Sequence, residues 1–282
     1  MSVLNESAAK PGWWRQSGVQ PQLLFGTALI ALLLAMVIAP QLFSSQSPTA
    51  IDLAQALQPP SQAHWFGTDD VGRDIYTRVI YGARITLGVV AGSLLIAAFV
   101  GGWLGLLAGF YGRTVDMLSG RVIDVVLSFP PIILGVIITG ILGPGLQNLV
   151  LALSLVYLPV FFRIARSGAI SEANKTYVEA ARALGMSRRR ILARHIARNV
   201  LPLLLLQYMI LFPLALQIEA ALGFLGLGIQ PPTPDWGAIL EQSKDFVLFA
   251  PWMSLFPGLF ILLSAFGVML AGRGLQQRLG LD

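Results

Sequence analysis

The sequence predicts an all-α integral membrane protein with six transmembrane helices and both termini in the cytoplasm. Three observations carry that expectation. Of 282 residues, 55% are apolar and only 12% are charged, whereas a soluble domain carries roughly 25% charged residues; mean hydropathy is +0.72. The apolar residues gather into six runs, most of them near the ~20 residues that cross a bilayer core. Lys and Arg are shared unevenly between the two sets of alternating loops. Together these exclude a disordered chain, a coiled coil and an ordinary soluble enzyme. The net charge of +5 fits basic loops facing the cytoplasm, so nucleic acid is not expected as a partner. The absence of cysteine excludes disulfides, thiolate metal sites and a cysteine nucleophile.

The first run, 23–39, follows a polar tail, 1–22, that contains Lys10, Trp13, Trp14 and Arg15. A secretory signal peptide has the same order of parts. Here Pro40-Gln41-Leu42-Phe43 offers no small-x-small cleavage pattern, and the run reads as a retained helix. A loop, 40–84, leads to the second run, 85–110. Runs at 122–142, 146–162, 200–222 and 247–272 complete a five-helix core over 85–272, and a tail follows over 273–282. The N-terminal tail, the segments after the second and fourth runs, and the C-terminal tail hold 15 of the 19 Lys and Arg residues; the alternate loops hold four. The positive-inside rule then puts both tails in the cytoplasm and the 40–84 and 223–246 loops outside. The cytoplasmic loop 163–199 is too long to be a turn.

Enzymatic motifs are missing. No Gly-x-x-x-x-Gly-Lys-Ser/Thr occurs, so the chain has no P-loop to cradle nucleotide phosphates. Gly223-Phe224-Leu225-Gly226-Leu227-Gly228 is glycine-rich, but no strand precedes it. The two histidines, His64 and His195, fall in loops on opposite sides, and neither a zinc-protease helix nor a nucleophile elbow is present. No catalytic residue, metal site or cofactor site is therefore expected in this chain, and its energy must come from a partner or an ion gradient. Asp124 and Glu219 are the acids within the spans. An ion-coupled carrier would need one of them to titrate; the plainer reading places Asp124 at the interface and gives Glu219 neighbouring polar partners.

The 163–199 loop is the most informative segment. Tyr177, Ala180, Ala181 and Leu184 recur at i, i+3, i+4 and i+7, one face of a short amphipathic helix. Gly185 follows where a left-handed C-cap belongs. Ser187 then offers an N-cap for a second helix running to Pro202, with Arg190, Arg194 and Arg198 on one stripe. Two short helices bent at a glycine make a compact foot. The same pattern also suits an amphipathic element lying on anionic lipid.

Glu179-Ala180-Ala181, Gly185 and Leu201-Pro202 resemble the EAA loop of ATP-binding-cassette importer permeases. Trp65-Phe66-Gly67-Thr68-Asp69-Asp70-Val71-Gly72-Arg73-Asp74, with Tyr81-Gly82-Ala83-Arg84, is similar to a segment ahead of the second helix in the dipeptide/oligopeptide/nickel branch. Phe224 to Gly228 followed by Pro231-Pro232-Thr233-Pro234-Asp235-Trp236-Gly237 resembles the outer-loop signature of the same branch. The likeness runs from about residue 23 onward. Two places depart from it: Ala197-Arg198-Asn199 stands where members read Leu-Pro-Asn, and Gly272-Arg273-Gly274 lacks an acidic residue after the first glycine.

The resemblance implies a type I importer permease fold in a bacterial-type inner membrane. It implies a second homologous permease, two ATP-binding-cassette ATPase subunits or domains that hold ATP and Mg2+, and an extracytoplasmic solute-binding protein. It makes Tyr177, Glu179, Ala180, Ala181, Leu184 and Gly185 the ATPase-coupling residues. The outer motifs Gly67, Thr68, Asp69, Gly72, Arg73, Asp74, Pro231, Pro232, Pro234, Trp236 and Gly237 are then either a docking surface for the binding protein or a structural plug. Taken without the resemblance, Glu179 pairs with Arg182 at i+3, the 69–74 charges form a solvated self-paired turn, and Trp236 suits an interfacial belt. Peptides, glutathione, nickel chelates and opines all fit as solutes; a channel or structural membrane subunit is the remaining class.

Overall fold

A computed structural model describes residues 21–279; Lys10, Trp13, Trp14 and Arg15 lie outside the described residues. Regular structure there is helical apart from one isolated antiparallel bridge, Thr68–Asp74. In chain order the helices are α1 (Pro21–Ile38), α2 (Ile75–Tyr111), α3 (Arg113–Leu127), α4 (Pro131–Leu142), α5 (Leu146–Ala173), α6 (Thr176–Ala183), α7 (Arg188–Ile191), α8 (Ala197–Phe224), α9 (Trp236–Ser243) and α10 (Trp252–Leu279), with a π-helical turn, Leu192–Ile196, joining α7 to α8. α2, α5, the continuous rod Arg188–Phe224 and α10 are each long and apolar enough to cross a membrane. α3 and α4 make a fifth span only as a pair bent by 89°, and α1 is a shorter apolar helix. The bend falls at Ser128-Phe129-Pro130-Pro131. Proline pushes the residue before it out of helical geometry and has no N–H to carry the ladder on.

The boundaries differ from the hydropathy reading in an instructive way. α2 starts at Ile75, not 85, because Asp74 caps it: its Oδ1 accepts the Thr77 N–H at 2.7 Å. The extra turns carry Thr77 and Arg78, both fully buried, so they are covered by protein rather than lipid. α5 continues to Ala173, and the 223–246 loop contains α9. The helix expected to end at Pro202 runs on through Pro202 and Pro213 to Phe224. Ser187 holds the N-cap position of α7, but its side chain makes no capping bond.

α2 and α5 form the centre of the bundle, and glycine spacing sets their contact. Gly101, Gly105 and Gly109 lie one above another on α2. A Cβ on them would come 2.4 Å from Leu158 O, 2.3 Å from Phe162 O and 2.5 Å from Arg166 O. The two backbones touch at three levels over about two turns, the approach that small residues allow between membrane helices. The main apolar cluster builds on this pair with Val90, Leu94, Leu149, Leu153, Phe161 and Leu216. Two ion pairs fasten α3 to α5: Arg163 Nη2 to Asp124 Oδ1 at 2.9 Å, and Arg166 Nη2 to Asp116 Oδ2 at 2.7 Å. Arg84 donates from Nε and Nη2 to the Val37 and Ile38 carbonyls, 2.7 and 2.8 Å, satisfying the exposed C-terminal end of α1.

Candidate functional site

The residues singled out in the sequence fall into two assemblies at opposite ends of α2, a helix of 37 residues and so about 55 Å long. At its N-terminal end, the 40–74 segment and the 225–251 segment fold onto the start of α2 as a loop layer. At its C-terminal end lies the 174–199 foot.

Asp69 is the keystone of the loop layer. It is fully buried, and its carboxylate accepts the backbone N–H groups of Val71 (3.1 Å) and Arg73 (2.9 Å), Arg73 Nε (2.6 Å) and Arg78 Nη1. Arg73 also donates from Nη2 to Gln242 Oε1 at 2.9 Å, which ties the first loop to α9. Asp74 both caps α2 and lies 2.9 Å from His64 Nδ1. The Thr68 hydroxyl accepts the Gln58 N–H at 2.8 Å, while the Thr68 carbonyl accepts from Trp252 Nε1 at 3.1 Å. Gly67 and Gly72 have φ of +73° and +79°, and a Cβ on Gly72 would lie 1.8 Å from Asp52 O; only glycine fits there. The 69–74 charges are therefore a buried hub rather than a solvated turn.

The 231–237 motif packs into the same hub. Trp236 is fully buried, which removes it from any interfacial belt, and its Nε1 donates to Val79 O at 2.9 Å. Asp235 caps α9 through the Ala238 N–H at 3.1 Å and accepts the Thr86 hydroxyl at 2.6 Å. Gly237 and Gly223 touch backbone to backbone; a Cβ on Gly223 would be 2.7 Å from Gly237 Cα. Pro231 and Pro232 share a cis peptide, and Pro232 and Pro234 carry the chain into the α9 cap. Most of these motif residues hold the loops together, but Trp65, Pro231 and Pro232 are exposed, beside Ile51, Leu53, Leu248 and Phe249.

In the foot, α6 ends as expected at Gly185, with φ +77°. The Met186 N–H bonds Ala181 O and the Gly185 N–H bonds Arg182 O, both at 3.0 Å, which is the Schellman pattern. The expected apolar face is split. Val178 and Ala181 are buried against Ile191, Leu192, Ile196 and Val200 of the rod, together with Leu106, Ala165 and Ala169. Ala180, Glu179 and Leu184 point outward, Leu184 with 87% of its surface exposed. Glu179 makes no ion pair among the described residues. Its expected partner Arg182 instead lies over the Phe110 ring, 5.8 Å from the centroid. Tyr177 turns its hydroxyl back to Glu172 Oε2 at 2.6 Å; burial and that hydrogen bond raise its pKa, so the phenol stays a neutral donor. The π turn breaks the regular spacing expected of the Arg190, Arg194 and Arg198 stripe.

Residues 101–281, which include the whole foot and α9, match a family described as binding-protein-dependent transport system inner membrane components. The chain belongs to that family. The permease is also 43% identical over 256 residues to the dipeptide transport system permease protein DppC of Alkalihalophilus pseudofirmus, covering 91% of this chain and 84% of that one. It is 40% identical to the probable D,D-dipeptide transport system permease protein DdpC of Escherichia coli, with 94% and 89% of the two chains covered. It is 33% identical to the glutathione transport system permease protein GsiD of Pectobacterium atrosepticum, over 99% and 94% of the chains. The permease is thus a multi-pass inner-membrane transport component.

Among the described residues, neither acid in the spans of this permease belongs to a cluster of three or more acidic or histidine side chains. Asp124 is largely exposed and paired with Arg163, a partner that the sequence reading did not see. Glu219 is fully buried and faces the Asp235 carboxyl, which can hydrogen-bond it when one of the two carries a proton. The sequence reading also missed Arg78, Thr86, Gln242, Glu172 and Asn199, which hold the two assemblies together. For Arg78 a signal was present, since Asp74-x-x-Thr77 is a helix start that puts Arg78 in the first turn.

Proposed function

We propose that this permease is one of two homologous permease chains in an ATP-driven importer of peptides or a related small solute. Six helices cross the membrane, α1, α2, the α3–α4 pair, α5, α8 and α10, with both termini cytoplasmic. The foot then faces the cytoplasm and the loop layer faces outward, toward a solute-binding protein. ATP and Mg2+ belong to two ATP-binding-cassette ATPase subunits; this chain holds neither. The outward face of α6 seats in a groove of the ATPase, and its movement as a lever opens the pathway by turns to either side. Peptide as the solute class rests on the dipeptide and glutathione systems named for the relatives.

The observation that carries this reading is the uncovered face of α6. Val178 and Ala181 anchor the helix, while Ala180, Glu179 and Leu184 are left free on a rigid support. An exposed leucine and an unpaired carboxylate on a short helix anchored to the rod suit a protein groove with a basic rim. Ala180→Trp should clash with that groove, and Glu179→Arg should reverse the sign of the contact. Both variants should insert normally, lose co-purification with the ATPase by about tenfold or more, and abolish uptake. A helix lying on anionic lipid would behave in the opposite way, because both changes strengthen its membrane contact. Normal assembly and uptake in both variants would defeat the assignment.

The topology is tested by cysteine labelling, since the chain has none of its own. Ser171→Cys lies exposed at the end of α5 and Leu248→Cys lies at a site 90% exposed in the loop layer. An impermeant maleimide should label only position 248 in intact spheroplasts and both positions after permeabilisation. Labelling of position 171 in intact spheroplasts would reverse the orientation.

A further inference from the structure

The uncovered face of α6 explains how the foot meets a partner, but not how a short helix passes a push to the spans. Its apolar anchor, Val178 and Ala181, contacts the rod through methyl-bearing side chains, and such a contact resists sliding poorly. A polar lock sits beside it. The Glu172 carboxylate at the end of α5 accepts from three donors: Lys175 Nζ at 2.5 Å, the Tyr177 hydroxyl at 2.6 Å and Asn199 Nδ2 at 3.2 Å. Asn199 Nδ2 also donates to the Tyr177 hydroxyl oxygen at 2.8 Å. The group is closed: Glu172 belongs to α5, Tyr177 to α6 and Asn199 to the rod that becomes α8.

This lock has the features that transmission requires. Hydrogen bonds to a carboxylate are directional and stronger than neutral ones. Each side chain comes from a different element, so no two of the three helices can rotate or slide without breaking a bond. The lock stands directly after the π turn, where the rod's regular hydrogen bonding is interrupted at Leu192–Ile196. A π turn makes a local weak point, so motion from α6 would dissipate there unless Asn199, beyond the turn, is held to α6 itself. His195 within the turn lies against Tyr177, with ring centroids 6.1 Å apart.

We propose that Glu172 and Asn199 are positioning residues that clamp α6, through Tyr177, to both α5 and α8, so that displacement of the foot is delivered to the two spans rather than lost at the π turn. The assignment rests on the reading of α6 as the ATPase-docking helix.

The test uses the complete importer reconstituted in proteoliposomes, with Glu172→Ala, Glu172→Gln and Asn199→Ala, and measures solute imported per ATP hydrolysed alongside ATPase retention. Neither residue lies on the outward face of α6, so all three variants should keep the ATPase bound. Glu172→Ala, which removes three hydrogen bonds, and Asn199→Ala, which removes two, should each lower the transport-to-hydrolysis ratio by about tenfold or more, since one charge-assisted bond alone carries about that factor. Glu172→Gln keeps an oxygen to accept from Tyr177 and Asn199 and should recover most of the ratio. The double alanine variant should be no worse than either single one, since both break the same lock. An unchanged ratio in Glu172→Ala and Asn199→Ala would overturn the proposal. So would loss of the ATPase in step with the ratio, rescued by nothing, which would make the lock mere support for the foot. Failure of the docking reading would appear separately, as Ala180→Trp and Glu179→Arg complexes that still assemble and import.

Discussion

Asp69→Asn should destabilise the permease by about 3–5 kcal/mol, the cost of removing one partner from a buried ion pair. Asp69 is fully buried between two arginines, and Arg78 beside it is fully buried as well. Asparagine keeps the size and one acceptor oxygen, but its amide hydrogens would face the guanidinium groups. Arg78 Nε and Nη2 lack partners among the described residues, so Asp69 is its one hydrogen-bonded counter-charge there, with Asp70 acting from further off. The substitution leaves that buried charge with only the weaker, more distant attraction of Asp70 opposite it. The effect should spread, because Arg73 also carries the bond to Gln242 that joins the first loop to α9. Asp70→Asn is the milder comparison: the Asp70 side chain is 36% exposed and stands 3.9 Å from Arg73, beyond hydrogen-bond distance, a half-exposed pair worth about 1 kcal/mol. The two variants should therefore separate clearly in thermal unfolding of the detergent-solubilised protein. Equal midpoints would mean that the hub is solvated and that burial of Asp69 is not what holds the loops.

The same hub shows what the sequence revealed and what it concealed. Hydropathy found the long apolar helices because lipid selects for apolar side chains irrespective of neighbours. It misplaced the start of α2 by ten residues because Thr77 and Arg78 are buried in protein, where polarity is tolerated once it is paired. The motif residues Asp69, Arg73, Asp74 and Trp236 were legible as a group, yet spacing did not tell whether they faced a partner or one another. That answer lay in Arg78, Gln242 and Thr86, partners far away in the chain or isolated in a helix. In the foot, the glycine bend was legible because a left-handed cap has a local signature. The face of α6 was half legible: a period of 3.6 predicts one apolar side, but Val178, not Tyr177 or Leu184, sits with Ala181 against the rod. The depth to which a short helix sinks into its neighbours is a tertiary quantity. The lock was invisible for the same reason, since Glu172 and Asn199 are 27 residues apart.

The contact between α2 and α5 gives the other large effect. Gly105→Ala should cost about 3 kcal/mol or more, at the upper end for an overpacked core. The added methyl would lie 2.3 Å from Phe162 O, 2.9 Å from Ala165 Cβ and 3.0 Å from Arg166 N. Two of those three atoms are backbone, so no rotamer change relieves the clash. Either the helices separate, which also parts Gly101 from Leu158 and Gly109 from Arg166, or the Phe162 carbonyl tilts out of its own helix and loses its bond. Separation would shift Arg163 and Arg166, the side chains that fasten α3 through Asp124 and Asp116, and would carry the end of α5 away from the foot. Alanine is otherwise a better helix former than glycine by about 1 kcal/mol, so the sign of the result isolates the packing. Gly88 and Gly92 on the same helix have nothing within 4 Å of a built Cβ, and Gly88→Ala or Gly92→Ala should be neutral or mildly stabilising. Unfolding midpoints of the three variants in one detergent decide the matter. If Gly105→Ala matches Gly92→Ala, the two backbones do not touch, and the glycine spacing is not what sets the centre of the bundle.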